Sequence, residues 1–284
     1  ARMFLVSTAE LSIHASDASR VVFDCRHDLA DPGKGARLYA EGHVPGAFFA
    51  GVDRDLSGPK GRGGGRHPLP ESDSFAAFLA SHGVTSASTV VAYDDVGGQY
   101  AARLWWMARW IGLSRVALLD GGLPKWLAEG RPLTTQVPSK PASPAGLRAQ
   151  VNEALRVDAA TVARRMGDTS CALIDARAGE RYRGEVEPID PVAGHIPGAR
   201  NRFFKANLRT DLTFRPAEEV RREFEALLAG IPPSSVVHQC GSGITACVNF
   251  FAMEYAGLTG SKLYPGSWSE WVSDPTRPVA RGAE

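Results

Sequence analysis

The sequence has few cysteines, no long hydrophobic run and almost no net charge, and each absence excludes a class of protein. Four cysteines are scattered along 284 residues with no Cys-x-x-Cys pair, so neither a disulfide scaffold nor a zinc site is expected. The apolar runs are only as long as strands, so no membrane-spanning segment is predicted. With 32 Lys and Arg against 31 Asp and Glu, the net charge of +1 gives no general attraction to nucleic acid or to membranes.

The remaining composition is that of an ordinary globular protein. Hydrophobic residues make up 44% and charged residues 22%, and the length predicts two domains. The N-terminal residues lack the apolar stretch of a signal peptide. We therefore expect a cytoplasmic protein, in which an unusually placed cysteine is reactive rather than bridged.

One internal repeat divides the chain. Gly-His-Val-Pro-Gly-Ala at 42–47 returns as Gly-His-Ile-Pro-Gly-Ala at 194–199, and a strand-like run before each motif is repeated as well. A stretch rich in Pro and Ser lies between the two copies and is typical of an extended linker. We predict a first domain at 1–137, a linker at 138–147 and a second domain at 148–284.

Each copy alternates short apolar strands with segments of helical spacing. Capping residues begin helices at Ser7 and Asp158. Strands are predicted at 21–23, 89–93 and 236–239, and helices at 74–82, 101–111 and 216–230. The alternation predicts an α/β fold in which each domain has a mostly parallel sheet with helices on both faces. Ligand sites in such folds lie beyond the C-terminal ends of the strands.

Residues that both copies keep are interpreted as architectural. His43 and His195 occupy the same loop context, so we expect both to stabilise a turn before a strand. Asp24 and Asp175 each end a strand and are expected to bond loop amides. Differences between the copies point to chemistry instead.

The informative difference follows one strand of each copy. In the second copy, strand 236–239 runs into Cys240 and a Gly-rich turn before a helix, whereas the first copy has Asp94 at that position. Backbone N–H groups converge at a helix N-terminus, and the helix dipole there favours negative charge. Such a turn favours a thiolate and would hold a charged sulfur adduct. The alternative, that the cysteine is a small buried residue, is our interpretation of Cys25, Cys171 and Cys247.

Three other chemistries use similar loops and are disfavoured by the side chains. A cysteine phosphatase needs an arginine six residues after the nucleophile, where this chain has Ala246. A phosphate-binding Walker A loop needs a lysine, which the segment from Gly243 to Thr245 lacks. A cysteine hydrolase needs a nearby general base. His238 is close in sequence, but its place inside a strand favours a structural role.

With these residues the chain resembles the two-domain rhodanese superfamily of sulfurtransferases over essentially its whole length. The two Gly-His-x-Pro-Gly-Ala motifs, the Cys240 loop and the substitution by Asp94 carry the resemblance. The loop Cys-Gly-Ser-Gly-Ile-Thr-Ala at 240–246 looks most like that of members that use 3-mercaptopyruvate. Members that prefer thiosulfate typically carry two basic residues in place of Gly241 and Ser242. This difference is physically reasonable because thiosulfate is a dianion and gains from positive charge.

The resemblance implies a reaction through a Cys240 persulfide. A small anionic sulfur donor would transfer its sulfur to Cys240, and a thiol, cyanide or a thioredoxin-like protein would accept it. No metal or organic cofactor is implied. A Ser-His-Asp set proposed to assist proton transfer in such enzymes would fall on Ser242, His67 and Asp53. The alternative for His67 is a solvated loop histidine.

Substrate-binding residues also follow from the resemblance. Arg181 matches the family arginine that reaches the donor anion, with a surface arginine as the alternative. The loop residues expected at the substrate are Gly241, Gly243, Ile244 and Thr245. Many relatives carry a second arginine where this chain reads Glu-Pro-Ile-Asp-Pro at 187–191, and Arg66 or Arg183 is the candidate replacement.

The preferred donor therefore stays open at this point. One alternative is a thiosulfate:cyanide sulfurtransferase. Another is a sulfur carrier or binding module that does not turn over.

Overall fold

The protein is described by a computed structural model that covers residues 3–13, 17–61 and 63–283. The chain divides into two compact units that do not follow the sequence order. The first comprises Ala1–Gly58, Pro70–Asn152 and Arg209–Phe214, and the second Pro59–Leu69, Glu153–Leu208 and Arg215–Glu284. Each unit therefore contains a short segment from the other half of the sequence. The predicted linker, 138–147, has neither helix nor strand.

The first unit is built around a parallel sheet. Its described residues form strands β1 (Leu5–Val6), β2 (Arg20–Asp24), β3 (Ala47–Phe49), β4 (Thr89–Tyr93) and β5 (Val116–Leu119). Its helices are α1 (Thr8–Ile13), α2 (Lys34–Glu41), α3 (Ser72–Ser81), α4 (Ala101–Trp110) and α5 (Gly122–Ala128). The strand order is β1-β5-β4-β2-β3, and all pairs are parallel. Every residue of β4 is buried, so both faces of the sheet are covered.

The second unit repeats this plan. Its described strands are β6 (Ala172–Asp175), β7 (Arg200–Asn201), β8 (Val236–Gln239) and β9 (Lys262–Leu263), in the parallel order β7-β6-β8-β9. Its α-helices are α6 (Ala159–Arg165), α7 (Gly179–Tyr182), α8 (Ala217–Leu228), α9 (Ala246–Tyr255) and α10 (Ser267–Trp271). Three 3-10 helices lie at Glu153–Leu155, Phe204–Asn207 and Pro233–Ser235. The α/β prediction is confirmed. Among the described residues, no helix combines the length and the hydrophobicity that a membrane-spanning segment needs.

Capping residues begin two helices where the sequence predicts them. The hydroxyl oxygen of Ser7 accepts the N–H of Glu10 at 3.0 Å, which satisfies a free amide at the start of α1. The carboxylate of Asp158 accepts the N–H of Thr161 at 2.8 Å at the start of α6. These local signals therefore place both helices correctly.

The two repeated histidines are structural, as predicted. Each is fully buried and stacks on a tyrosine with ring centroids 3.9 Å apart, His43 on Tyr39 and His195 on Tyr182. Nδ1 of each ring also lies 2.7–2.8 Å from the carbonyl oxygen of the same tyrosine. The motif therefore ties a loop to the preceding helix in both units.

The repeated aspartates bond loop amides, and each also has an arginine partner that the sequence analysis did not identify. Asp24 accepts the N–H of Arg26 at 2.9 Å, and Asp175 accepts the N–H of Arg177 at 3.0 Å. The arginine then turns back and makes a bidentate ion pair with the same carboxylate. Each guanidinium also donates to the carbonyl of the glycine that begins the repeated motif, at 2.7 Å. These pairs join the strand end to the motif loop.

Candidate active site

Cys240 follows β8 directly, in the turn that leads to α9. Its sulfur accepts a hydrogen bond from the N–H of Gly243 at 3.2 Å, and the residue is 1% exposed. Gly243 has φ = +81°, and a β-carbon there would lie 2.3 Å from the carbonyl oxygen of Pro265. Only glycine fits this position. The turn therefore holds a backbone N–H against the thiol.

The first unit carries a carboxylate in the equivalent turn. Asp94 precedes α4, and its two carboxylate oxygens accept four backbone N–H groups at 2.8–3.0 Å, from Val96, Gly98, Tyr100 and Ala101. Such convergent amides at a helix N-terminus form an anion site. Cys240 occupies the position of Asp94 in the repeat. The amides of Ser242, Ile244 and Ala246 correspond to the first three of those donors.

The start of α10 supports the cysteine loop at three backbone points. The hydroxyl of Ser267 accepts the N–H of Cys240 at 3.1 Å. The N–H groups of Trp268 and Ser269 donate to the carbonyls of Cys240 and Gly241, both at 2.9 Å. The nucleophile loop is thus held from outside as well as by its own turn. This support was not predicted from the sequence, because α10 has only five residues and no helical periodicity.

The segment Pro59–Leu69 belongs to the second unit and is anchored to α10. The N–H of Gly64 donates to the carboxylate of Glu270 at 2.8 Å, and the N–H of Arg66 donates to the hydroxyl of Ser269 at 3.1 Å. Gly65 has φ = +79°, and a β-carbon there would lie 2.4 Å from that hydroxyl. The Gly-rich stretch is therefore needed for close approach, and it brings the next two residues to the site.

His67 contacts Ser242 in the cysteine loop. Its Nδ1 lies 2.7 Å from the hydroxyl oxygen of Ser242, and both residues are almost fully buried. The solvated-loop alternative for His67 is therefore wrong. Asp53 belongs to the first unit, where its carboxylate lies 3.9 Å from Nε2 of His27. Its participation with His67 stays a prediction.

Two arginines face the residue next to the nucleophile. A β-carbon built on Gly241 would lie 3.1 Å from Nη2 of Arg66 and 3.5 Å from Nη2 of Arg181. The Arg181 side chain, at the end of α7, is only 19% exposed, which contradicts the surface alternative. Of the two candidate replacements for the missing arginine, Arg66 has this position. Arg183 pairs with the exposed Glu185 at 2.9 Å instead.

Ile244 and Thr245 lie where the turn becomes α9. The side chain of Ile244 is buried, and its carbonyl accepts the N–H of Cys247 at 3.2 Å. Thr245 occupies the N-cap position without a side-chain capping bond. Their contact with substrate stays a prediction.

Two carboxylates at the site were not predicted from the sequence. Glu187 and Asp190 both pair with Arg181, with closest N–O distances of 3.1 and 3.5 Å, and Asp190 also forms an ion pair with Arg66. The only sequence signal was the acidic character of Glu-Pro-Ile-Asp-Pro at 187–191, the stretch where the resemblance implies an arginine. Both arginines that face Gly241 therefore already have carboxylate partners.

The other cysteines have different environments. Cys25 and Cys247 are fully buried, as predicted, and burial raises the pKa of the Cys25 thiol, with a further contribution from Asp24. The prediction is wrong for Cys171, which is partly exposed and donates to Asp168 at 3.6 Å. Cys171 ends the turn before β6, so the sheet does not cover it.

His238 is structural, which disfavours the cysteine-hydrolase alternative. The residue is fully buried, and its Nε2 lies 3.1 Å from the hydroxyl of Ser261, within the unit's interior. Burial lowers the pKa of His238 to about 3. A base with this pKa is a poor proton acceptor at neutral pH.

Replacing His238 with glutamine is expected to reduce the acid sensitivity of folding. Between the folded pKa of about 3 and the ordinary value of 6.5, the unfolded state binds the proton and the folded state does not. Stability is therefore lost as pH falls below 6.5, by about 2 kcal/mol between pH 7.5 and pH 5. Urea unfolding at both pH values measures this loss. The free energy of unfolding of His238→Gln should fall by about 2 kcal/mol less than that of the wild type between the two pH values. Equal losses in the two proteins would refute it.

Comparison with known proteins agrees with this geometry. A model of the rhodanese-like domain matches residues 7–129 and 158–274. A Pseudomonas aeruginosa protein named "Probable 3-mercaptopyruvate sulfurtransferase" is 49% identical over 280 residues, which cover 98% of each chain. A Mycobacterium tuberculosis protein whose name includes "thiosulfate sulfurtransferase" is 40% identical, over 98% of this chain and 97% of its own.

A solved structure is similar as well. The 3-mercaptopyruvate sulfurtransferase from Leishmania major superposes with a TM-score of 0.83 at 30% identity, over 97% of this chain and 75% of that one. The family model matches both copies of the repeat separately. The chain therefore belongs to the rhodanese family, as a sulfurtransferase with two rhodanese-like domains.

Proposed function

We propose that Cys240 accepts sulfur from 3-mercaptopyruvate and passes it to a thiol, cyanide or a thioredoxin-like protein. The proposal is supported mainly by the position of the Cys240 sulfur, which lies in a turn of anion-binding type at the start of α9. Two guanidinium groups face the neighbouring Gly241. Backbone N–H groups stabilise both a thiolate and a persulfide anion there. The guanidinium groups suit the donor's carboxylate.

The first half-reaction loads the cysteine. The Cys240 thiolate attacks the donor sulfur, a sulfur–sulfur bond forms, and the carbon–sulfur bond breaks. Its electron pair goes to the carbon, which gives the enolate of pyruvate. The proton from the donor thiol is then needed on that carbon. Ser242 and His67, 2.7 Å apart, are placed to move it.

The second half-reaction unloads the cysteine. The acceptor attacks the outer sulfur of the persulfide, the sulfur–sulfur bond breaks, and its electron pair returns to Cys240 as a thiolate. With cyanide the product is thiocyanate, and with a thiol it is a persulfide. Both half-reactions balance without an external oxidant or reductant.

A reducing compartment such as the cytoplasm suits this chemistry. Cys240 has to return to a free thiolate after each transfer, and the four cysteines are all free. Thiol pools in the cytoplasm keep cysteines reduced and also supply small thiol acceptors.

Thiosulfate is the second candidate donor, which the name of the Mycobacterium tuberculosis relative favours. Its sulfur transfer releases sulfite and needs no proton. The loop residues Gly241 and Ser242, however, supply no positive charge for a dianion. Comparing the reaction rates with the two donors therefore distinguishes the two candidate functions.

Comparison of the two donors tests the proposal. With 3-mercaptopyruvate, the intact mass should increase by one sulfur atom, and kcat/KM should exceed that for thiosulfate by at least about tenfold. A higher value for thiosulfate would favour the second candidate. A persulfide that forms but never discharges to cyanide, a small thiol or thioredoxin would favour a carrier. Absence of any added sulfur would contradict all three.

A further inference from the structure

Three arginines and three carboxylates of the second unit form a connected set, which we call the arginine–carboxylate cluster. Its members are Arg66, Arg177, Arg181, Asp175, Glu187 and Asp190. Arg181 pairs with both Glu187 and Asp190, Asp190 pairs also with Arg66, and Glu187 lies 3.5 Å from Arg177. The three positive charges are therefore matched by three negative ones.

The carboxylates of this cluster are buried. The side chains of Glu187 and Asp190 are 5% and 3% exposed. Burial raises the pKa of Glu187, but the N–H groups of Asp190 and Ile189 and the charge of Arg181 outweigh it, so the pKa lies below its ordinary value. Charges in such an environment are weakly screened by water and salt.

The cluster meets the cysteine loop through two of its arginines. Both Arg66 and Arg181 face Gly241, as described above. Ion pairs with Asp190 and Glu187 orient the N–H groups of the two arginines. The same ion pairs balance the positive charge of the arginines. A bound anion therefore gains directed hydrogen bonds but little long-range attraction.

We propose that Glu187 and Asp190 set the charge class of the sulfur donor: they orient Arg66 and Arg181 and cancel their charge, so that a dianion loses the extra attraction that unpaired arginines would give it over a 2-oxo carboxylate monoanion. This inference rests on the proposed function, whose site it refines. The energy of an anion in the field of the cluster is proportional to its charge. A dianion is therefore penalised about twice as strongly as a monoanion by each carboxylate.

Asp190→Asn and Glu187→Gln test this inference because both replacements keep the shape and remove one negative charge. A glutamine oxygen can still accept the N–H groups of Ile189 and Asp190, which donate to Glu187 at 2.9 and 3.0 Å. The probes are pyruvate as the monoanion and sulfate as the dianion, with dissociation constants from calorimetry. In each variant, we expect the affinity for pyruvate to increase about threefold and the affinity for sulfate to increase about tenfold. The kcat/KM ratio of thiosulfate to 3-mercaptopyruvate should rise about threefold.

Glu185→Gln is the matched control. Its carboxylate is exposed and pairs with Arg183, outside the cluster. The dissociation constants of pyruvate and sulfate should therefore change by no more than about twofold in this variant. The inference would be overturned if the two cluster variants gained equal affinity for both anions, or gained no affinity for either. Because the binding measurement needs no turnover, it separates the two proposals. A wild-type protein that gains no sulfur from either donor contradicts the proposed function, whereas unchanged anion selectivity contradicts only this inference.

Discussion

Replacing Cys240 with serine is expected to abolish sulfur transfer, with a fall in turnover of at least about a thousandfold. The serine hydroxyl has nearly the same size and can still accept the N–H of Gly243, which bonds the sulfur at 3.2 Å in the native turn. A hydroxyl, however, is a far weaker nucleophile than a thiol and cannot carry a transferable sulfur. The loss is therefore chemical rather than structural.

Intact-mass measurement after one turnover checks this expectation directly. The wild type should gain one sulfur atom from 3-mercaptopyruvate, and Cys240→Ser should gain none while keeping the thermal midpoint of unfolding. Cys171→Ser is the matched control, because Cys171 is the partly exposed cysteine and lies in the same unit. It should transfer sulfur within about twofold of the wild type. Retained turnover in Cys240→Ser would contradict the assignment of the nucleophile.

The sequence is sufficient to predict the parts of the fold and site that depend on local pattern. The repeat, the strand at 236–239 and the turn at Cys240 are each readable within about ten residues. Capping residues such as Ser7 and Asp158 also act on their own helix, and the structure confirms both. The contrast between Cys240 and Asp94 needed only the alignment of the two copies. These features can be predicted because they do not depend on tertiary contacts.

The rest depends on contacts between distant parts of the chain. The pairing of Arg66 with Asp190 joins residues 124 positions apart, and no local pattern predicts it. The same holds for the anchoring of Gly64 to Glu270. The short elements β7, β9 and α7 have two to four residues, which is too few for a periodic signal.

His67 illustrates the boundary between these two cases. Its position in a Gly-rich loop carries no signal for catalysis, and the family resemblance indicated a role together with the absence of a matching histidine in the second copy. The structure adds a buried contact with Ser242 at 2.7 Å and thereby makes a proton relay geometrically reasonable. The chemistry of the two donors then gives a way to test that relay.

Removing either member of the His67 and Ser242 pair is expected to reduce kcat/KM for 3-mercaptopyruvate about a hundredfold. The reason is that the pyruvate enolate must receive a proton as it leaves. Sulfite leaves thiosulfate as a stable anion and needs none, so loading from thiosulfate should change by less than about threefold. The variants are His67→Asn, which keeps an amide nitrogen near Nδ1, and Ser242→Ala. Single-turnover loading of Cys240 with each donor measures both effects.

A double-mutant cycle then decides whether the two residues act together. If His67 and Ser242 form one relay, the double variant should be no slower than the slower single variant, because the second substitution removes nothing that still operates. Independent roles would multiply the two losses to about ten-thousandfold. The relay is refuted if the losses multiply, or if thiosulfate loading falls as much as loading from 3-mercaptopyruvate. In the second case the pair shapes the cysteine loop instead, because a distorted turn would slow attack on either donor.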